Sequence, residues 1–154
     1  MFRGRYEHSV DAKGRLALPI RFREELERGY EDERLIITMH LTDPCLVVYP
    51  HKEWEAFEER LSKLSALDPK VTMLRRMYLG MAHECVLDKQ GRILIPPELR
   101  RDAAIERDVV WSGAARFCEL WSKPTYEAHV ADVRGKLSQG ELKDALEKLA
   151  ELGI

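Results

Sequence analysis

A ten-residue phrase occurs twice in this chain of 154 residues. Residues 10–19 read VDAKGRLALP, and residues 87–96 read LDKQGRILIP. Asp11 and Asp88 stand 77 residues apart, and at that offset a glutamate, the aspartate, a glycine, an arginine and a proline recur in register. This internal repeat constrains the fold more than any other feature, because both copies must form the same local unit.

The likeness extends well beyond the ten residues. LVVYPHKEWEAF, which starts at residue 46, aligns with CELWSKPTYEAH, which starts at residue 118, so that Trp54 matches Tyr126. The two copies therefore cover nearly the whole chain up to about residue 131. We divide the chain into a first repeat, a helical connector, a second repeat and a helical tail, with the boundaries 1–63, 64–81, 82–131 and 132–154.

Each copy predicts the same series of elements. A short strand, a turn and a second strand with alternating apolar residues indicate a β-hairpin, in which Leu16 and Leu18, or Ile93 and Ile95, share one face. A proline then ends the second strand and opens a short helix, because it has no N–H to donate to a ladder. Two further apolar strands and a helix follow. The pattern predicts an α+β protein that is rich in β-structure.

The connector and the tail carry helix signals of their own. Asp68 as N-cap and Pro69 at the first helical position predict a packed helix in the connector. In the tail, Ser138 and Glu141 fit a capping box, and Gly153 stops the helix. The stripe of Leu142, Leu146 and Leu149 needs a partner. It either docks on its own domain or makes a contact between subunits.

The repeated turn explains its aspartate and its glycine, but not its arginine. Asp11 can accept hydrogen bonds from the next backbone amides, and Gly14 tolerates a left-handed conformation. Arg15 and Arg92 instead carry a planar fork of donors that suits phosphate oxygens or the O6 and N7 edge of guanine. The structural alternative is a local ion pair between this arginine and the aspartate four residues before it.

The charge around the first copy favours the binding interpretation. The chain as a whole has a formal net charge of −2 and offers no global attraction to nucleic acid. Residues 1–23 are locally basic, with only two acidic side chains. The six basic side chains are Arg3, Arg5, Lys13, Arg15, Arg21 and Arg23. The second copy mixes Lys89, Arg100 and Arg101 with four acidic residues, so the first copy is the predicted nucleic-acid face.

Other classes of function have little support in the sequence. Three separated cysteines form no C-x-x-C pair, and the five histidines show no metal-ligand spacing, so no metal, cofactor or catalytic residue is expected. No apolar run approaches the length of a membrane span, and the first residues lack the apolar core of a signal peptide. We expect a cytosolic protein that is not an enzyme.

MFRGRYEHSVDAKGRLALP, followed by the second DKQGRILIP, strongly resembles the MraZ family, bacterial relatives of the AbrB-type DNA-binding regulators. The likeness spans essentially the whole chain and includes the tandem D-x-x-x-R arrangement that marks this family. It implies that one chain folds two AbrB-like halves into a pseudo-dimeric, swapped-hairpin β-barrel with flanking helices.

The resemblance also implies a function and its residues. The expected protein is a transcription regulator that binds double-stranded DNA at direct repeats upstream of its own cell-division and cell-wall operon, associates with the nucleoid and forms a ring-like homo-oligomer. Its expected DNA-binding residues are Arg15, Lys13, Arg3, Arg5 and Asp11, and Asp88 with Arg92 form the second motif. An antitoxin-like protein-interaction module is the alternative.

Overall fold

The computed structural model describes residues 1–154, and the order of its elements repeats. The first copy contains β1 (Arg5–Ser9), β2 (Arg15–Ala17), α1 (Ile20–Gly29), β3 (Arg34–Met39), β4 (Leu46–Pro50) and α2 (His51–Ser62). The connector helix is α3 (Pro69–Gly80). The second copy contains β5 (His83–Val86), β6 (Arg92–Leu94), α4 (Pro97–Asp102), β7 (Asp108–Ala114), β8 (Phe117–Ser122) and α5 (Lys123–Ser138), and α6 (Lys143–Glu151) follows. The duplicated series of elements confirms the repeat and the α+β class.

The chain divides into two compact units, Met1–Lys123 and Pro124–Ile154. The first unit holds every strand of both copies, so the copies fold together and not as separate domains. Its main sheet is antiparallel, has six strands and follows the order β1-β7-β8-β4-β3-β5. None of the helices combines the length and the hydropathy that crossing a membrane requires.

The expected hairpins are wrong in their pairing. β1 pairs with β7 of the other copy, and β5 pairs with β3 of the other copy. β2 and β6 pair with each other and form a separate two-stranded ribbon (Arg15–Ala17 with Arg92–Leu94). Between β1 and β2, only the turn itself is bonded, through Asp11 N–H to the Arg15 carbonyl at 2.9 Å. Alternation identified the strands, but it carries no information about which strand is the neighbour.

The expected closed barrel is not formed either. β1 and β5 each pair on one side only and are the edges of the six-stranded sheet. The ribbon is a sheet of its own beside it. A barrel needs a continuous ladder that returns to its first strand. Here β2 and β6 pair only with each other, so the ladder of the main sheet stops at β1 and at β5.

The ribbon covers the main hydrophobic core. Leu16 and Ile93 face inward from the two ribbon strands and are 0% and 1% exposed. They belong to one apolar cluster that draws on both copies, with Phe22 of α1 and Trp111 of β7. The Trp111 indole N–H also donates to the Ala17 carbonyl at 3.2 Å and ties the ribbon to the sheet. Each fully buried aliphatic side chain of this kind contributes roughly 1.5–3 kcal/mol.

The connector helix packs on a second, smaller cluster. As predicted, the Asp68 side chain caps α3 by accepting a hydrogen bond from Lys70 N–H at 2.9 Å. Tyr78 of α3 stacks on Trp54 of α2, with ring centroids 5.4 Å apart. The Thr38 hydroxyl of β3 donates to the Tyr78 carbonyl at 2.9 Å. The connector is therefore fixed to the first copy by aromatic packing and a buried hydrogen bond.

The unit Pro124–Ile154 contains α6 and all but the first residue of α5. The capping box expected at Ser138 is wrong, because Ser138 is the last residue of α5 and its hydroxyl donates to the Gly135 carbonyl. Helix α6 begins at Lys143 without a side-chain cap. Gly153, at a φ of 81°, lies just beyond the helix end as expected.

Candidate nucleic-acid interface

Each repeated turn is organised by its aspartate. Asp11 Oδ1 accepts hydrogen bonds from the backbone N–H groups of Lys13 and Arg15, both at 2.9 Å. In the second copy, Asp88 does the same for Gln90 and Arg92 at 2.9 Å. The fourth residue of each turn is glycine with a positive φ, 83° at Gly14 and 71° at Gly91. The turn chemistry expected from the sequence is therefore present twice.

The same aspartate orients the arginine that follows. Arg15 Nε donates to Asp11 Oδ2 at 2.7 Å, and Arg92 Nε donates to Asp88 Oδ2 at 2.8 Å. The backbone N–H of the arginine, reinforced by its guanidinium, holds the pKa of each aspartate below its ordinary value. The local ion pair anticipated as the structural alternative therefore exists. This ion pair uses only the Nε atom of each guanidinium, so the two Nη groups at the tip do not bond to the aspartate.

Arg15 and Arg92 differ in whether an Nη group of the guanidinium is already hydrogen-bonded within the chain. Arg92 Nη2 donates to Gln90 Oε1 at 3.2 Å. The equivalent residue in the first copy is Lys13, whose ammonium cannot accept a hydrogen bond. Arg15 makes its hydrogen bonds to Asp11 through its backbone N–H and its Nε, and neither of its Nη groups has an acceptor within the chain. Arg15 presents an open pair of donors to solvent, and Arg92 presents a fork that is partly occupied.

Both arginines lie on one exposed face. The ribbon register sets Arg15 opposite Leu94 and Ala17 opposite Arg92. Residues opposite each other in an antiparallel pair point to the same side, so these four residues form an outward surface, here called the ribbon face. The side chains of Arg15 and Arg92 are 37% and 28% exposed. As diagonal neighbours their Cα atoms are about 7–8 Å apart.

Two further arginines each extend from one copy to the turn of the other copy, and the sequence did not indicate this. A Cβ on Gly14 would lie 2.8 Å from Cζ of Arg100, a residue of α4 in the second copy. A Cβ on Gly91 would collide with Nη1 of Arg23, a residue of α1 in the first copy. The Nε atoms of both arginines are buried without a partner. Each turn is thus covered by a guanidinium from the opposite copy.

This exchange revises the charge argument made from the sequence. Arg23 lies beside the second turn, and Arg100 lies beside the first. Each turn is accompanied by one lysine and two arginines, so the two ends of the ribbon are more alike in charge than the sequence suggested. Linear proximity of basic residues failed as a guide because the copies interlock.

The basic residues at the start of the chain lie elsewhere. Arg5 begins β1 and the turn follows its end, so these points are about 16 Å apart at the usual rise of a strand. Arg3 lines a polar surface groove of about 450 Å³ together with Arg21, Glu24, Glu25 and Arg28. The structure brings Lys13 and Asp11 to the ribbon with Arg15, and it places Arg3 and Arg5 at the far end of β1.

Potential metal ligands do not cluster in this structure, and the three cysteines are at least partly buried. No group of three or more His, Cys, Asp or Glu side chains is arranged to hold a metal ion. Cys45 and Cys118 are buried and Cys85 is partly buried. Burial raises the pKa of all three thiols, that of Cys85 to about 12. These cysteines stay protonated near neutral pH, so their thiolates are not available as nucleophiles.

Comparison with known proteins identifies the family. The model of the family described as "MraZ protein, putative antitoxin-like" matches residues 1–77 and again residues 78–146. The chain belongs to the MraZ family. A "Transcriptional regulator MraZ" of Syntrophobacter fumaroxidans is 39% identical over 153 residues, which covers 99% of this chain and 97% of the relative. Proteins with the same name from Hydrogenovibrio crunogenus and Shewanella sp. (strain ANA-3) are 37% and 38% identical.

The alignments with these relatives span both repeats and not one repeat alone. The Hydrogenovibrio alignment covers 97% of each chain, and the Shewanella alignment covers 100% of each. The two family matches meet at residue 77, within α3. Membership in the MraZ family therefore extends over both Asp-x-x-Gly-Arg turns and over the connector between them.

Proposed function

We propose that this MraZ protein is a sequence-specific DNA-binding transcription regulator whose ribbon face enters the major groove. The observation that carries the proposal is the open fork of Arg15, which is held by Asp11, exposed, and without an acceptor at either Nη. A two-stranded β-ribbon fits the major groove, and a guanidinium bonds guanine O6 and N7 in that groove. The names of the relatives support the regulatory role.

The residues divide into three roles in this proposal. Arg15 reads a guanine, Asp11 positions it, and Lys13 neutralises a nearby phosphate. Arg92, held by Asp88, makes the weaker contact, because Gln90 already accepts from its fork. Arg3 and Arg5 lie beyond the ribbon and contact only phosphates of a duplex that follows β1.

The target and the assembly follow the family resemblance. We propose that the protein binds direct repeats upstream of its own cell-division and cell-wall operon, in the cytoplasm and on the nucleoid, as a ring of identical chains. A net charge of −2 and few basic contacts make one chain a weak binder. A ring that presents several ribbons to repeated sites gains affinity through effective concentration, roughly a hundredfold or more.

We also propose a relation between the fold and AbrB-type dimers. The exchange of β1 and β5 between the copies is the pairing that a swapped hairpin produces between two subunits. Within one chain it requires no second subunit. The repeats 1–63 and 82–131 then act as the two halves of a pseudo-dimer.

Substitution of the two arginines tests the DNA-binding proposal. On a promoter fragment from upstream of the gene, Arg15→Ala is expected to lose roughly 5- to 150-fold in affinity per site, the equivalent of about 1–3 kcal/mol for a guanine contact. Arg92→Ala is expected to lose less. Arg76→Ala is the matched control, because Arg76 is exposed and lies in α3, outside both the ribbon and the groove that Arg3 lines. An Arg15→Ala protein that is folded and gives the parental footprint would refute the assignment.

An antitoxin-like interaction module remains the second candidate, and the description of the matched family favours it. In that case the chain would hold a small protein partner in fixed proportion. Co-purification of such a partner from the source cells, together with no shift of promoter DNA by the parent chain, would support the module over the regulator.

A further inference from the structure

The ribbon face carries one large apolar side chain in an exposed position. Leu94 is 58% exposed, although the residues on either side of it, Ile93 and Ile95, are 1% and 0% exposed. The equivalent position in the first copy is Ala17. A largely exposed leucine therefore stands opposite Arg15 and two residues along the strand from Arg92, on the surface that we propose for DNA.

The ribbon register places Leu94 directly beside Arg15. Leu18 N–H donates to the Gly91 carbonyl and Ile95 N–H donates to the Gly14 carbonyl, both at 2.9 Å, so these are hydrogen-bonded pairs. Such pairs alternate along an antiparallel ladder, which makes Arg15 and Leu94 a non-hydrogen-bonded pair. Side chains are closest in pairs of this type, with Cβ atoms about 5 Å apart.

The leucine also removes the symmetry of the ribbon face. Arg15 and Arg92 exchange places under the pseudo-twofold relation of the two copies, but Leu94 exchanges with Ala17 and Gln90 with Lys13. A face with identical ends would read a palindrome, since binding sites mirror the symmetry of the protein. At one end of this face the open fork of Arg15 lies beside Leu94. At the other end the partly occupied fork of Arg92 lies beside Ala17.

We propose that Leu94 contacts the C5-methyl group of a thymine next to the guanine read by Arg15, and that it fixes the direction of the ribbon on DNA. The inference rests on the proposed function. Thymine is the only base that displays a methyl group in the major groove, and apolar side chains recognise it there. The Cβ atoms of Arg15 and Leu94 are about 5 Å apart, and this distance corresponds to one or two base-pair steps along the duplex. Directional reading suits direct repeats, which a symmetric reader would not distinguish from inverted ones.

Deoxyuridine substitution tests the contact, because it removes the thymine methyl group and nothing else. Each thymine of one promoter repeat is replaced in turn, and the affinity of the full-length parent is measured by fluorescence anisotropy. One position is expected to lose about fourfold, the value of one buried methyl-sized group. Leu94→Ala is expected to lose a similar factor on unmodified DNA and to show no further loss with deoxyuridine at that position.

Leu41→Ala is the matched control, since Leu41 is 42% exposed and lies outside the ribbon, between β3 and β4. It should keep the full deoxyuridine response. Because Leu94 is exposed, its alanine variant should keep the parental circular dichroism spectrum.

The outcomes separate this inference from the proposed function. A parent chain that does not bind the promoter refutes both. A parent that binds but responds to no deoxyuridine, or a Leu94→Ala variant that keeps the response, refutes the role of Leu94 alone. If Leu94→Ala changes the size of the assembly in light scattering and leaves the deoxyuridine response intact, Leu94 covers a subunit contact, and the inference is wrong.

Discussion

Alanine at Gly14 or Gly91 tests whether the two turns are held in the left-handed conformation. Gly14 has a φ of 83° and Gly91 a φ of 71°, where a Cβ costs about 1–2 kcal/mol. We expect Gly14→Ala to lower the free energy of unfolding by about 1–2 kcal/mol and no more. The new Cβ would meet the Arg100 guanidinium, which can move aside because it is the end of a flexible side chain. A loss of 1.4 kcal/mol is a tenfold change in the unfolding equilibrium constant.

Gly91→Ala is expected to cost more. There the new Cβ would meet not only Nη1 of Arg23 but also its Cδ, at 2.7 Å, and the stem of a side chain is harder to displace than its tip. Overpacking of this kind adds roughly 1–3 kcal/mol. The parent should therefore be the most stable of the three proteins, Gly14→Ala should be less stable, and Gly91→Ala should be the least stable.

Urea unfolding followed by tryptophan fluorescence measures these differences. All proteins must be compared at one concentration, since assembly shifts apparent stability. Gly29→Ala is the control, because Gly29 ends α1 with nothing within 4 Å of its Cβ position and without a positive φ. It should gain up to about 1 kcal/mol. A Gly14→Ala protein as stable as the parent, or a Gly29→Ala protein that loses as much as Gly14→Ala, would show that the turn argument is wrong.

Two further predictions concern the core and high pH. Ile93→Ala, under the ribbon, should lose about 2–5 kcal/mol of unfolding free energy, whereas Ile20→Ala at an exposed site should change it by less than about 0.5 kcal/mol; equal losses in urea unfolding would contradict the assigned core. Burial and a 3.0 Å hydrogen bond to Glu53 raise the pKa of Tyr30 from 10.0 to about 12, so its stabilising contribution is complete below pH 10 and is lost as the pH rises towards 12. Urea midpoints should fall more steeply above pH 10 for the parent than for Tyr30→Phe, and identical slopes would refute this assignment.

Much of the local structure was predictable because it depends on neighbours in sequence. Asp68 and Pro69 fixed the start of the connector helix, and alternating apolar residues fixed the strands. The Asp-x-x-Gly turn needs only the backbone amides that follow the aspartate. Ser138 was misassigned because α5 runs on through it, so a local capping signal was overridden by the preceding helix.

The candidate site was predicted in part. Arg15 was identified because the turn itself does not require it, and the structure places it on the exposed ribbon face. The positions of Arg23 and Arg100 were not predicted. These two arginines cover the turns at Gly91 and Gly14, which are 68 and 86 residues away in the sequence. Leu94 was not singled out, because only the register of the ribbon shows that it stands opposite Arg15.

The sequence by itself determined the duplication, the element types and the turn chemistry, since each of these depends on residues a few positions apart. The tertiary structure alone decided which strands pair, because alternation defines a face but not a neighbour. Burying Leu16 against Ile93 required the ribbon strands to meet across the two copies. That pairing is what brings Arg15, Arg92 and Leu94 onto one surface.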